Sequence, residues 1–134
     1  MAVNQSRVVT AKSPYIATLD LEDFDEPAQT QDQIVDYLYS FKPNTNAQHA
    51  HEPPQKGRSS KYKGVHKRRC RVKGKEYWYY EALITYQRKP HVIFRANIKR
   101  AGAEKEAARA YDSAAIKLHG PNALTNQEYF GDLE

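Results

Sequence analysis

Cysteine is nearly missing from this chain: Cys70 stands alone, so no disulfide can form within it. That excludes a small disulfide-stapled scaffold and suits a reducing compartment. Long apolar runs are missing too. No stretch approaches the ~20 residues of a membrane-spanning helix, and no apolar signal-peptide segment follows Met1. A soluble intracellular protein without a membrane partner is the expectation. Acidic residues are scarce in one region above all. Residues 56–100 hold two acidic against fifteen basic side chains, a net +13, whereas residues 1–55 carry −5 and residues 101–134 carry −3. A basic middle between acidic flanks points to a polyanion-binding surface.

Catalytic and metal signatures are also lacking. No paired carboxylates and no His-Asn-His nuclease pattern occur. His49 and His51 have no second ligand pair at a suitable spacing. No catalytic residue, metal or cofactor is expected, and the chain does not read as an enzyme.

What is present is one strongly helical stretch, residues 103–119 (AEKEAARAYDSAAIKLH). Alanine is the best helix former, and Glu, Lys and Arg lose little rotamer freedom there. Ala107, Tyr111, Ala114, Ala115 and Leu118 recur at helical spacing and form one apolar stripe. Gly120 is placed for a left-handed C-cap, and Pro121 cannot continue the helix. Small residues on the buried face mean close approach to a partner, and a sheet is the natural one.

The preceding residues supply that sheet. Alternation predicts strands at about 62–69, 76–86 and 91–99, with turns at Lys73-Gly74-Lys75 and at Gln87 to Pro90. On the second, Trp78, Tyr80, Ala82 and Ile84 are expected to face the helix. On the third, Val92, Phe94, Ala96 and Ile98 share that face, leaving His91, Ile93, Arg95, Asn97 and Lys99 on the other. The expected fold is α+β, a three-stranded antiparallel meander covered on one face by a single C-terminal helix.

Residues 1–57 read as an acidic, largely disordered arm and linker. Residues 19–26 alternate acids with Leu19, Leu21 and Phe24, and a capping-box pattern at Thr30 opens a short amphipathic helix over about 30–41. That segment either contacts partners such as transcriptional co-regulators, docks on the domain, or has no binding role. The domain itself is expected over 58–127, with a tail at 128–134.

The uncovered sheet face is the candidate site. His66, Arg68, Glu81, Thr85, Arg95, Asn97 and Lys99 are expected there, with Lys63, Lys67, Arg69, Arg71, Lys73 and Lys75 on the first strand or its turn. Arginine pairs bidentately with guanine, Asn with adenine, and Glu accepts from cytosine. Lysines and the remaining arginines suit phosphates. Glu81 reads as a base contact, an orienter of a neighbouring arginine, or an ordinary cross-strand ion pair. Cys70 lies among cations that lower a thiol pKa, although a plain thiol is the simpler reading. The run Lys67-Arg68-Arg69-Cys70-Arg71 suits phosphate contact and nuclear import alike.

Several motifs resemble one family. Tyr62-Lys63-Gly64-Val65 is similar to the opening YRGV of the Apetala-two/ethylene-response-factor DNA-binding domain. Tyr80-Glu81-Ala82-Leu83-Ile84 resembles its second strand, Glu106 to Ala115 its helix signature, and Gly120-Pro121-Asn122-Ala123 with Asn126 its closing segment. The likeness covers residues 61–126. It implies a sheet lying in the DNA major groove, sequence-specific binding of double-stranded DNA, transcription regulation and a nuclear location. It implies a backbone contact for Lys63, beside Gly64, and base-facing positions for His66, Arg68, Leu83, Thr85, Arg95 and Asn97. The departures are His66 for an arginine, Leu83 where the family has an acid, and NIKRAG where it has WLGTFD. The alternative reading is a non-specific DNA- or RNA-binding accessory domain of a mobile-element or homing-nuclease-like protein.

Overall fold

A computed structural model describes residues 11–12, 31–43, 48–55 and 58–133. Three antiparallel strands form the sheet: β2 (Val65–Val72), β3 (Lys75–Tyr86) and β4 (Lys89–Asn97). A two-residue strand β1 (Ala11–Lys12) adds to β4 in parallel, giving the order β1-β4-β3-β2. Among the described residues three α-helices accompany them, α1 (Gln31–Leu38), α2 (Ala103–His119) and the short α3 (Asn126–Phe130). The α+β architecture expected from the sequence is therefore present, with α1 inside the 30–41 stretch expected to form a short helix and α3 added to the single C-terminal helix.

The alanine stripe explains how α2 sits. Ala107, Ala114, Ala115 and Leu118 are fully buried and pack with Val65, Ala82, Ile84, Phe94 and Ala96 of the sheet. Methyl-sized side chains on both elements let them approach closely, which van der Waals packing rewards. Gly102 precedes the helix in the left-handed region with no side-chain cap. At the other end Gly120 has φ +89°, positive as expected but with an extended ψ, and its N–H donates to the Ile116 carbonyl.

Tyr62 to Gly64 are not strand, contrary to the expectation, because their polar groups are satisfied elsewhere. Asn126, completely buried, accepts from the Lys63 N–H at 2.6 Å and donates Nδ2–H to the Lys63 carbonyl at 2.9 Å. Asp112 of α2 then accepts from the backbone N–H groups of Asn126 at 2.7 Å and Gln127 at 2.9 Å. This lattice ties the lead-in of β2 to α2 and α3 without a ladder. Burial pushes the Asp112 carboxyl pKa up, and the bonds from Asn126 and Gln127 oppose that. Asp112 and Asn126 are structural groups here.

The third strand differs from simple alternation. Ala82 pairs with Phe94 but Leu83 pairs with Val92, so Ile93 is the extra residue of a β-bulge. Before the bulge the faces exchange. His91 lies opposite Ile84 on the helix side, and Val92 lies opposite Leu83 on the outer side. The expected grouping of Val92 with Phe94 and Ala96 is corrected by that one inserted residue.

The described parts of the arm pack against the domain. Ile34 and Leu38 of α1 belong to the same buried cluster as α2. Phe41 stacks near Tyr86 at 4.8 Å and meets the His91 ring edge-on at 5.1 Å. The Tyr37 hydroxyl hydrogen-bonds His91 Nδ1 at 2.9 Å. Residues 19–26 lie outside the described residues.

Candidate nucleic-acid interface

Pairing of β2, β3 and β4 sets the outer face. His66 lies opposite Glu81, which lies opposite Arg95; Arg68 lies opposite Tyr79, which lies opposite Asn97. At the centre Glu81 is only 3% exposed despite its charge. Its Oε1 accepts from Arg68 Nε and its Oε2 from Arg95 Nε at 3.2 Å. A buried carboxylate is costly unless paired and hydrogen-bonded, and both oxygens here are engaged. Glu81 thus pairs with both neighbouring arginines, as an arginine orienter or a cross-strand ion pair would. No Nη atom of Arg68 or Arg95 has a hydrogen bond among the described residues. Arg95 is further held by the Tyr79 ring, 4.9 Å from its guanidinium carbon.

The remaining candidates divide. His66 is half-buried, and its pKa is lowered by burial, then by Arg68, with Glu81 opposing, so the ring is neutral at pH 7. Leu83 is partly exposed and Thr85 exposed on the same face. Asn97 lies on this face but is 4% exposed, and its Oδ1 accepts from the Lys99 N–H at 2.9 Å. It shapes the turn after β4, and Lys99 is exposed beyond it. Lys63 Nζ donates to the Glu52 carbonyl at 2.7 Å, and burial lowers its pKa. Gly64 closes the lead-in with φ +78°.

Lys67, Arg69 and Arg71 lie on the opposite face. Their partners across the ladder are Tyr80, Trp78 and Glu76, on the side that further along the strand packs against α2. Trp78 has the facing its register implied, but it does not lie under the helix. It is 41% exposed, because the β2–β3 hairpin carries it past the covered core. Burial pushes the Cys70 thiol pKa up, with Arg95 opposing, so the cations around it do not make a thiolate.

Two contributors were not foreseen. Tyr79, not among the expected site residues, supports Arg95 with its ring. Arg58, the first residue of the expected domain, was not among the candidate site residues. With Glu52, Pro53, Gln55 and Lys63 it walls a cleft of about 260 Å³ that includes His66, Leu83 and Thr85. Gln55 Oε1 accepts from Arg58 Nε at 3.0 Å. Ser59 Oγ accepts from the Lys67 N–H at 2.9 Å, which seats this segment along the β2 edge. Only its basic charge signalled Arg58 in the sequence.

The arrangement is a rigid, positively charged sheet surface with one buried acid. Among the described residues no cluster of His, Cys, Asp and Glu could hold a metal ion, and no helix is long and apolar enough to cross a membrane. Comparison with protein-family models, with curated proteins and with solved structures finds no match to this chain.

Proposed function

We propose that this chain is a sequence-specific double-stranded DNA-binding transcription regulator that presents the outer sheet face to the major groove. The observation that carries the reading is the Arg68–Glu81–Arg95 row. One carboxylate holds two guanidinium groups by Nε, and the Nη edges remain for an acceptor pair such as guanine O6 and N7. Indiscriminate phosphate binding needs no buried acid among the cations. A three-stranded ribbon is narrow enough for the groove. The +13 charge of residues 56–100 supplies the affinity that is independent of sequence. Function in the nucleus, with residues 67–71 also serving import, belongs to the same proposal, as does recruitment of co-regulators by residues 19–26.

Selection from a random duplex library tests it. A recovered motif, bound by the intact chain and lost in Arg68→Gln/Glu81→Gln/Arg95→Gln, which leaves no unpaired buried charge, with circular dichroism unchanged, is the expected outcome. The second reading, a non-specific nucleic-acid-binding module, draws support from the split of basic residues between two faces. A common salt dependence for all duplexes and no recovered motif would favour it.

A further inference from the structure

The outer face leaves one feature of the hairpin unexplained. Trp78 projects from the other side of the sheet, beyond the helix, where a large aromatic ring gains nothing from the core. Two cations attend it. Lys67 Nζ is 5.4 Å and the Arg69 guanidinium carbon 5.7 Å from its ring centroid. Arg71 extends the same face toward the turn. Glu76 is an acid on that face, 3.5 Å from Arg69, and both of those side chains are well exposed. Beside the ring opens a cleft of about 530 Å³, formed with Tyr77, Asn97, Ile98 and Lys99 where β4 has ended and β3 runs on.

We propose that this face is a second nucleic-acid site, and that it takes an unpaired nucleotide stretch with a base stacked on Trp78. A flat aromatic ring among cations matches a polyanion that carries flat aromatic rings. The duplex does not satisfy it. Paired bases are stacked on one another and offer the grooves only their edges, so an indole ring can stack only on a base that is free. Lys67, Arg69 and Arg71 then meet the phosphates of the same strand. The cleft is of a size that admits a small ring system. The site lies across the sheet from Arg68, Glu81 and Arg95, so a single-stranded segment and a duplex need not compete for it. It goes beyond the duplex-reading proposal and does not depend on it.

Trp78 is the only tryptophan, so its fluorescence reports on this site directly. The probe is an oligodeoxythymidine of about 15 nucleotides, within the span of one small single-strand-binding domain. Saturable quenching is expected in the intact chain and also in Arg68→Gln/Glu81→Gln/Arg95→Gln, which leaves no buried charge unpaired. An abasic oligonucleotide of the same length should leave the emission unquenched. With a labelled oligonucleotide, Trp78→Ala should weaken binding about tenfold, and Trp78→Phe, which keeps a stacking ring, should retain most of it. Trp78→Phe also serves if the alanine variant fails to fold, because Lys67→Glu/Arg69→Glu in that background should abolish the remaining binding. No quenching, equal quenching by the abasic strand, or loss of quenching in a folded Arg68→Gln/Glu81→Gln/Arg95→Gln would each overturn the assignment.

Discussion

Gly64 and Tyr111 are packed so that only glycine fits. A Cβ at position 64 would lie 2.6 Å from Tyr111 Cγ and closer still to Cδ1, and the backbone there has φ +78°. Tyr111 is itself buried in the face of α2, so the ring has nowhere to retreat. Gly64→Ala should therefore destabilise the fold by about 2–3 kcal/mol, combining overpacking with left-handed strain. Gly74 is the control. Its φ is +80° but nothing lies near its missing Cβ, so Gly74→Ala should cost only about 1 kcal/mol. Urea unfolding of the two variants checks the difference.

Glu81→Gln should spare the fold more than the specificity. The amide still offers an oxygen to one arginine but loses the charge that holds both. Affinity for random duplex should hold or rise, since one negative charge is removed from the face. The preference for a selected site over a random one should fall about tenfold, as one or two oriented base contacts are lost. Anisotropy titrations at fixed salt measure both. An unchanged preference would mean that the arginines are not positioned through Glu81.

Acid should loosen the attachment of α1. Burial lowers the His91 pKa, with Lys89 contributing, and the neutral ring pairs with the Tyr37 hydroxyl. Below about 6.5 the unfolded chain binds a proton that the folded ring refuses, so stability falls as pH drops from 7 toward 5. His91→Phe keeps the ring contacts with Phe41 and should flatten part of that slope. The lowered pKa of His66 acts in the same direction and leaves a remainder. Chemical unfolding at a series of pH values provides the comparison.

The β3–β4 turn can be improved. Gln87 and Arg88 have φ +52° and +65°, the double left-handed geometry of a tight hairpin, without a glycine. Asn-Gly is the preferred pair for such a turn. Gln87→Asn/Arg88→Gly should raise stability by about 1 kcal/mol, as read by thermal unfolding.

Legibility followed the reach of each interaction. The helix over 103–119 and the long strand near 76–86 were readable because periodicity and propensity agree there. The start of β2 was not. Asn126, distant in sequence, takes both backbone groups of Lys63 and so replaces a ladder with side-chain bonds. The bulge at Ile93 was equally hidden, since an inserted residue in a run of apolar side chains leaves the composition of the strand unchanged. At the site, the outward positions of Arg68, Glu81 and Arg95 were legible from period two. The use of both Glu81 oxygens, and the turn role of Asn97, were not.

The sequence by itself determined the layer order, the helix and its small-residue stripe, and the concentration of positive charge on the strands, because these depend on local propensity and alternation. Only the tertiary structure decided which basic residues work together. It gathered Arg68 and Arg95 around one carboxylate, put Lys67 and Arg69 beside Trp78 on the other face, and drew α1 into the core. The physical reason is that register, bulge position and the limit of helix cover depend on contacts between residues far apart in the chain, and local pattern carries no record of them.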